Sequence, residues 1–129
     1  MDGALNERDR ALFKGKSFGH VATVMPDGGP HVSPVWIDIE DGTDLILVNT
    51  AAGRVKVRNV ERDPRLAISV QAWDDPYTMV AVRGRVVEIT RDGAEDHIDF
   101  LSQKYHGRDY PNHGNRVLLK VAVEHVARM

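Results

Sequence analysis

Most of this 129-residue chain consists of short apolar segments separated by turns, and this pattern constrains the fold more than any other feature. Residues 18–25 and 31–39 are rich in Val, Ile and Thr, which favour extended backbone. Between them lies Pro26-Asp27-Gly28-Gly29, in which proline presets φ and glycine supplies positive φ. Because a turn this short joins antiparallel neighbours, the two segments are predicted to form a β-hairpin.

The remaining elements extend this pattern into a meander. Further strands are predicted at residues 44–50, 66–70, 77–89 and 116–126. The first of three predicted helices spans residues 6–14, with Asn6 as the cap and Asp9 three positions behind it. A second, short helix is predicted after Thr50, and a third at residues 92–105 with Thr90 as the cap. Since such a meander favours an antiparallel sheet that curls on itself, we predict a mainly β fold. It is a β-barrel of six or so antiparallel strands with a few helices, in one domain spanning residues 1–129.

Two residues inside the predicted strands indicate local irregularities. Pro34 lies within residues 31–39 and has no N–H to donate, which predicts a sheet edge, a bulge or a place where another group approaches the backbone. Gly84 lies within residues 77–89, where a glycine marks a bulge or a close contact. Both positions therefore indicate where the barrel departs from regular pairing.

The composition excludes several classes of function. The net charge is -2, so no global positive field for nucleic acid exists, and no long apolar segment predicts a membrane span. Cysteine is absent, which excludes disulfides and zinc–thiolate sites and is compatible with a reducing compartment. The histidines show no spacing typical of a metal site. We therefore expect a cytoplasmic protein that binds neither nucleic acid, membrane nor metal.

A group of cations follows the strand at residues 44–50 and carries the main functional signal. Arg54, Lys56 and Arg58 fall in the opening turns of a predicted helix, where the helix dipole and the free N–H groups favour anions instead. A bound phosphate or other anion would remove this conflict. The alternative is a solvated basic surface offset by Glu61 and Asp63. Both interpretations stay open on local sequence alone.

Several motifs, in order along the chain, resemble the split β-barrel of the pyridoxamine 5'-phosphate oxidase-like superfamily. Within it, the chain resembles the branch of oxidoreductases that use the deazaflavin coenzyme F420. The matching segments are GHVATV at 19–24, PDGGPHVSPVW at 26–36, NT at 49–50, RVKVRN at 54–59, DPR at 63–65, VRGRV at 82–86, YHG at 105–107, DYP at 109–111 and RV at 116–117. The similarity extends over nearly the whole chain from Ser17 to Met129.

The resemblance implies that one strand lies beside the ring of the cofactor. The residues it assigns to that strand are Val32, Ser33, Pro34 and Trp36. Ordinary strand polarity also accounts for Ser33, and core packing accounts for Trp36. Trp73 and Tyr77 either line the substrate side or pack against other residues.

The resemblance places the rest of the cofactor on the segment that follows. Asn49 and Thr50 would reach the ring or its ribityl chain, although ordinary strand polarity also accounts for Thr50. The phosphate would be held by Arg54-Val55-Lys56. The phosphate oxidases themselves have an adjacent Arg-Lys pair and a C-terminal segment that binds pyridoxal phosphate. This chain has neither, so the resemblance favours the deazaflavin branch.

The function implied by the resemblance is hydride transfer from reduced F420 to an unsaturated or conjugated small-molecule acceptor. No residue is assigned as a catalytic acid or base. Two alternatives stay open: an FMN-dependent oxidoreductase of the same fold, and a non-catalytic flavin- or haem-binding protein. Because small barrels are filled by their own side chains, the ring must lie outside the barrel. A homodimer with the cofactor in the cleft between subunits is therefore expected, as the resemblance also implies.

Overall fold

The computed structural model describes residues 4–128, which form three helices and seven strands. The helices are α1 (Glu7–Lys14), α2 (Val55–Arg62) and α3 (Ala94–His106). The strands are β1 (Ser17–Val24), β2 (Pro30–Val35), β3 (Ile37–Ile39), β4 (Ile46–Ala51), β5 (Arg65–Ala72), β6 (Met79–Thr90) and β7 (Arg116–Arg128). Every strand pairing is antiparallel, in the order β2-β1-β5-β6-β7-β4-β3. The predicted mainly β, split-barrel architecture is confirmed.

The inner face of the curled sheet forms the hydrophobic core. Strands from both halves of the sheet contribute fully buried side chains, among them Val21 and Ile68 on one side and Ile37 and Leu119 on the other. Phe13 of α1 is also fully buried in this cluster, so α1 covers part of the core. Each such side chain contributes about 1.5–3 kcal/mol on burial. None of the helices in residues 4–128 is long and apolar enough to cross a membrane.

The prediction of one continuous strand at residues 31–39 is wrong, because the chain breaks at Trp36. On one side of the break, β2 pairs with β1 at one edge of the sheet. On the other side, β3 pairs with β4 at the opposite edge. The break is stabilised from α3: Lys104 Nζ donates to the Ile37 carbonyl at 2.6 Å. The predicted edge position of Pro34 is confirmed, since β2 is an outermost strand.

Two further local predictions, at Asn6 and Gly84, are confirmed, and the predicted cap at Thr90 is wrong. The Asn6 cap is confirmed, since its Oδ1 accepts from the N–H of Asp9 at 2.8 Å and Asp9 accepts in return from the N–H of Asn6. The Gly84 irregularity is confirmed as a register shift between β6 and β7. Thr90 does not cap α3. Its hydroxyl accepts from the N–H of Asp92 in the preceding turn, and the N-cap is Gly93, whose φ of 75° lies in the left-handed region that glycine adopts without strain.

Candidate functional site

The N-terminal end of α2 forms one part of the candidate site. β4 ends at Ala51, and Gly53, with a φ of 88°, turns the chain directly into α2. Arg54 is the N-cap residue, but no side chain makes a capping hydrogen bond and no acidic residue lies in the first turn. The positive end of the helix dipole therefore faces outward without a compensating group.

A pocket of about 470 Å³ opens beside this helix start. It lies where β1, β4 and β7 approach the helix pair α2 and α3, next to the break at Trp36. Its lining residues are Ser17, Phe18, Gly19, His20, Pro34, Val35, Trp36, Asn49, Thr50, Ala51, Arg54, Lys56, Trp73, Ile98, Tyr105, Tyr110 and Arg116. We call Arg54, Lys56 and Arg116 the cation cluster, and Phe18, Trp36, Trp73, Tyr105 and Tyr110 the aromatic wall.

The cation cluster lacks negative partners. None of the ion pairs formed by residues 4–128 involves a member of the cluster. Burial, followed by the nearby guanidinium groups of Arg54 and Arg116, lowers the pKa of Lys56. Burial also lowers the pKa of Arg116, and Arg54 acts in the same direction. Both directions mean that the positive charges are destabilised where they stand, and a bound anion would reverse this effect.

The aromatic wall is a continuous series of rings that ends at the cation cluster. Phe18 stacks on Trp73 at 4.4 Å between ring centroids, and the Trp73 ring lies 6.3 Å from Tyr105. Tyr105 stacks on Trp36 at 5.3 Å with an angle of 7° between the planes. Trp36 meets Tyr110 edge to face at 5.8 Å. The Arg116 guanidinium lies 5.2 Å from the Tyr110 ring, so the pocket combines flat apolar surfaces with positive charge.

Behind the pocket lies a chain of hydrogen bonds that joins β7, β4, α3 and β3. Arg116 Nε donates to Asn49 Oδ1 at 3.0 Å. The Asn49 amide nitrogen donates to the Ala94 carbonyl at 2.8 Å and lies 3.2 Å from His97 Nδ1. His97 Nε2 is 2.9 Å from Asp38 Oδ2. Burial opposes the ionisation of Asp38, but hydrogen bonding from His97 and nearby positive charges lower its pKa overall.

The structure brings most of the sequence-predicted site residues to this pocket. Pro34, Trp36, Asn49, Thr50, Arg54 and Lys56 all line it. The other predicted residues, Val32, Ser33 and Val55, are not among its lining residues. Val32 is 64% exposed on the outer face of β2. Val55 is 44% exposed at the start of α2.

Ser33 lies on the opposite face of β2 from Val32. Its Oγ is buried and has no hydrogen-bond partner within residues 4–128. An unpaired buried hydroxyl is costly and is satisfied when a polar group binds beside it. Of the two aromatic residues considered for the substrate side, Trp73 lines the pocket, whereas Tyr77 is 83% exposed and does not.

Sequence reasoning missed Tyr105, Tyr110, Arg116 and His97 as members of the site or its support. Tyr110 lies in the loop after α3, which is rich in Gly, Pro and Asn and carries no periodic signal, and Arg116 is the first residue of β7 directly after that loop. The one available signal was that functional side chains concentrate on loops held by a rigid scaffold. His97 carried no signal because its partner Asp38 is 59 residues away in the chain.

Comparison with known proteins gives both a family and structural neighbours. The sequence model described as "Pyridoxamine 5'-phosphate oxidase" matches residues 5–129. A solved structure named F420 Reductase is 30% identical, with a TM-score of 0.83, over 97% of this chain and 100% of that protein. A conserved hypothetical protein from Mycobacterium tuberculosis is 24% identical, with a TM-score of 0.68, over 97% of this chain and 84% of that one. General Stress Protein 26 from Bacillus anthracis is 21% identical, with a TM-score of 0.69, over 93% and 89%. The latter two show likeness of fold alone.

Proposed function

The chain belongs to the pyridoxamine 5'-phosphate oxidase family, and on that basis we propose that it is an oxidoreductase that uses the deazaflavin coenzyme F420. Its substrate is an unsaturated or conjugated small molecule. The observation that carries this proposal is the cation cluster, which has no carboxylate partner among residues 4–128, beside a wall of aromatic rings. The relative named F420 Reductase, which matches over its full length, favours F420 within the family.

The residues of the pocket fit a cofactor that has both a flat ring and an anionic side chain. Arg54 and Lys56 would hold the phosphate, as charge-assisted hydrogen bonds to phosphate oxygens are strong. Pro34 and Trp36 offer apolar surfaces next to the ring, and Thr50 offers a hydroxyl at the wall of the pocket. The unpaired Ser33 hydroxyl would gain a partner if the ring or the ribityl chain reached β2.

Hydride transfer is the chemistry that F420 supplies when bound, and the protein's contribution is binding, orientation and exclusion of water. Trp36 is held on both sides, stacked on Tyr105 and in edge contact with Tyr110, so its ring presents a fixed surface. Fixed surfaces of this kind reduce the loss of side-chain freedom on binding. No residue is assigned a proton-transfer role.

FMN is the second candidate cofactor, because it also combines a tricyclic ring with a phosphate. The cation cluster and the aromatic wall fit it on the same grounds as F420. The spacing Arg54-x-Lys56, in place of an adjacent Arg-Lys pair, favours F420. A non-catalytic flavin- or haem-binding role is the third possibility and would show itself as binding without turnover.

We further propose that the working unit is a homodimer with the cofactor between subunits. A groove of about 490 Å³ crosses the outer face of the sheet, and small residues such as Ala22, Ala67, Ala81 and Ala127 line it together with Val32. The alanines allow a second surface to approach this part of the sheet closely, and His20, Arg83 and His125, which also line the groove, offer it polar contacts. The exposed Phe18 and Trp73 at the pocket would likewise be covered by a second surface.

Titration of the purified protein with F420, FMN and haem in separate experiments tests the proposed cofactor. Absorbance and fluorescence distinguish the three ligands, and all titrations use one ionic strength because the anion contacts are screened by salt. We expect F420 to bind markedly tighter than FMN. Tighter binding of FMN would assign the second candidate, and binding of haem alone would overturn the oxidoreductase proposal.

A further inference from the structure

The chain of hydrogen bonds behind the pocket fixes the orientation of the Asn49 amide. Its nitrogen faces the Ala94 carbonyl and His97 Nδ1, and its oxygen faces Arg116 Nε. The flipped amide would place oxygen against the Ala94 carbonyl and nitrogen against a guanidinium N–H, so both contacts would become repulsive. Because Asn49 is only 7% exposed, water cannot replace the lost partners.

The same chain fixes the proton on His97. Nδ1 faces the Asn49 amide nitrogen, a donor, so Nδ1 must be the bare acceptor. In the neutral ring Nε2 then carries the hydrogen and donates to Asp38. Asp38 is nearly fully buried and is held in turn by Lys14 at 3.3 Å. Each group thus orients the next, from the buried Asp38 outward to Arg116.

Arg116 is the last residue of this chain of hydrogen bonds on the side of the pocket, and it is the residue of the chain that also belongs to the cation cluster. One of its nitrogens, Nε, is used by Asn49, and its guanidinium plane is near the Tyr110 ring. Within residues 4–128 the remaining N–H groups of the fork face no carboxylate and only the Tyr110 hydroxyl competes for them, so they can donate to a ligand in the pocket. With Arg54 and Lys56 on α2 and Arg116 on β7, positive charge approaches the pocket from two separate elements.

We propose that Arg116 is a third ligand of the anion bound by Arg54 and Lys56, and that Asn49 and His97 are positioning residues that hold its guanidinium in place. The ligand class is a phosphate ester or diester. This inference rests on the proposed function for the identity of the cofactor, but the anion site itself depends only on the contacts described above.

Binding of the anion can be distinguished from binding of the ring with pairs of ligands that share the ring, where one member carries the anionic side chain and the other lacks its phosphate. F420 is compared with its phosphate-free deazaflavin alcohol, and FMN with riboflavin, by fluorescence titration. We expect Arg116→Gln to weaken binding of the anionic member by at least about ten-fold and to leave binding of the neutral member unchanged. Arg8→Gln, an exposed cation of α1 outside the pocket, is the matched control. An equal loss for both members of a pair would overturn the role of Arg116 as an anion ligand.

The positioning role has a separate readout. His97→Phe keeps a flat ring but removes both hydrogen bonds, whereas His97→Gln keeps an acceptor for the Asn49 amide. We expect the preference for the anionic member to fall in the Phe variant and to recover in part in the Gln variant. A purely structural role would weaken both members of each pair equally, and that result would overturn the positioning of Arg116 by His97.

A measurement of anion binding by the native protein does not depend on the affinity of a variant or on the cofactor. Inorganic phosphate is titrated into ¹⁵N-labelled protein while the arginine Nε–H signals are followed, with Arg116→Lys used only to assign the Arg116 signal. A saturable shift of that signal supports the anion site even if neither F420 nor FMN binds, in which case the proposed cofactor alone is wrong. No shift of the Arg116 signal would overturn the inference.

Discussion

The hydroxyl of Tyr105 accepts a hydrogen bond from the backbone N–H of Ile37 at 3.3 Å, at the point where the chain passes from β2 to β3. The same hydroxyl donates to the Ser17 carbonyl at 2.8 Å. Within residues 4–128, neither the Ile37 N–H nor the Ser17 carbonyl bonds to a neighbouring strand at this point of the sheet. One side chain of α3 therefore satisfies both groups. Since the Tyr105 ring also stacks on Trp36, the break in the strand and the wall of the pocket depend on the same residue.

Tyr105→Phe is therefore expected to destabilise the protein although it removes a single oxygen atom. The two buried backbone groups lose their partner, which costs about 1–3 kcal/mol for an unsatisfied buried group. Urea-induced unfolding measures the change in the free energy of unfolding. Tyr77→Phe is the matched control, because Tyr77 is 83% exposed. An equal and small effect of both substitutions would show that the Tyr105 hydroxyl has no such role.

The double substitution of Arg54 and Lys56 by Ala is expected to weaken cofactor binding strongly without unfolding the protein. Each charge-assisted hydrogen bond lost costs about 1.5–3 kcal/mol. Neither side chain forms an ion pair within residues 4–128, and removing both relieves their mutual repulsion. Equilibrium titration measures the affinity, and thermal unfolding in phosphate-free buffer shows whether stability is retained.

Arg8→Gln again provides the control for a general effect of net charge. Unchanged affinity in the double variant would mean that the cations on α2 form only a solvated surface. That outcome would restore the alternative that local sequence left open.

Features that depend on residues close together in the sequence could be predicted, whereas features that depend on residues far apart in the sequence could not. The Asn6 cap and the cations at the start of α2 depend on neighbours within a few residues, so local rules predict them. The break at Trp36 depends on Tyr105, which contacts Ile37 across 68 residues. Arg116 reaches Asn49 across 67 residues. Such contacts exist only after the sheet has formed, and no local pattern encodes them.

Stability should depend on pH through Asp9, a buried carboxylate of α1. Burial opposes its ionisation, but hydrogen bonds from Arg128 and from the N–H of Asn6 outweigh this effect and hold its pKa below the ordinary value of 3.8. Because the folded pKa is the lower one, ionised Asp9 stabilises the fold fully above the unfolded pKa of about 4, and this contribution is lost as the pH falls through the folded pKa.

Asp9→Asn is therefore expected to lower the thermal unfolding midpoint near neutral pH, and this effect is expected to decrease progressively as the pH falls below about 4. Unfolding curves from pH 7 to pH 3, recorded for wild type and variant, measure the difference. Asp74→Asn, at an exposed position, is the control. A difference that stays constant across this range would show that the charge on Asp9 is not what stabilises the fold.

The proposed homodimer predicts the effect of a charge on the outer face of the sheet. Ala81 of β6 lines the groove, and Ala81→Lys would bring a long cation into a closely packed interface. We expect sedimentation equilibrium to show a monomer with reduced cofactor affinity. Val87→Lys, at an exposed position of β6 that does not line the groove, should leave both properties unchanged. A monomeric wild type that binds cofactor with full affinity would contradict the shared cleft.

The two prolines of β2 also protect the protein from uncontrolled aggregation. Pro30 and Pro34 lie four residues apart on an outermost strand, so their backbone nitrogens point in the same direction. Neither can donate a hydrogen bond, and of the positions between them only Val32 shares that direction and keeps its N–H. A strand from another molecule would find almost no donors along this border. The outer edge of β2 can therefore stay unpaired beside the pocket without pairing with strands of other molecules to form fibrils.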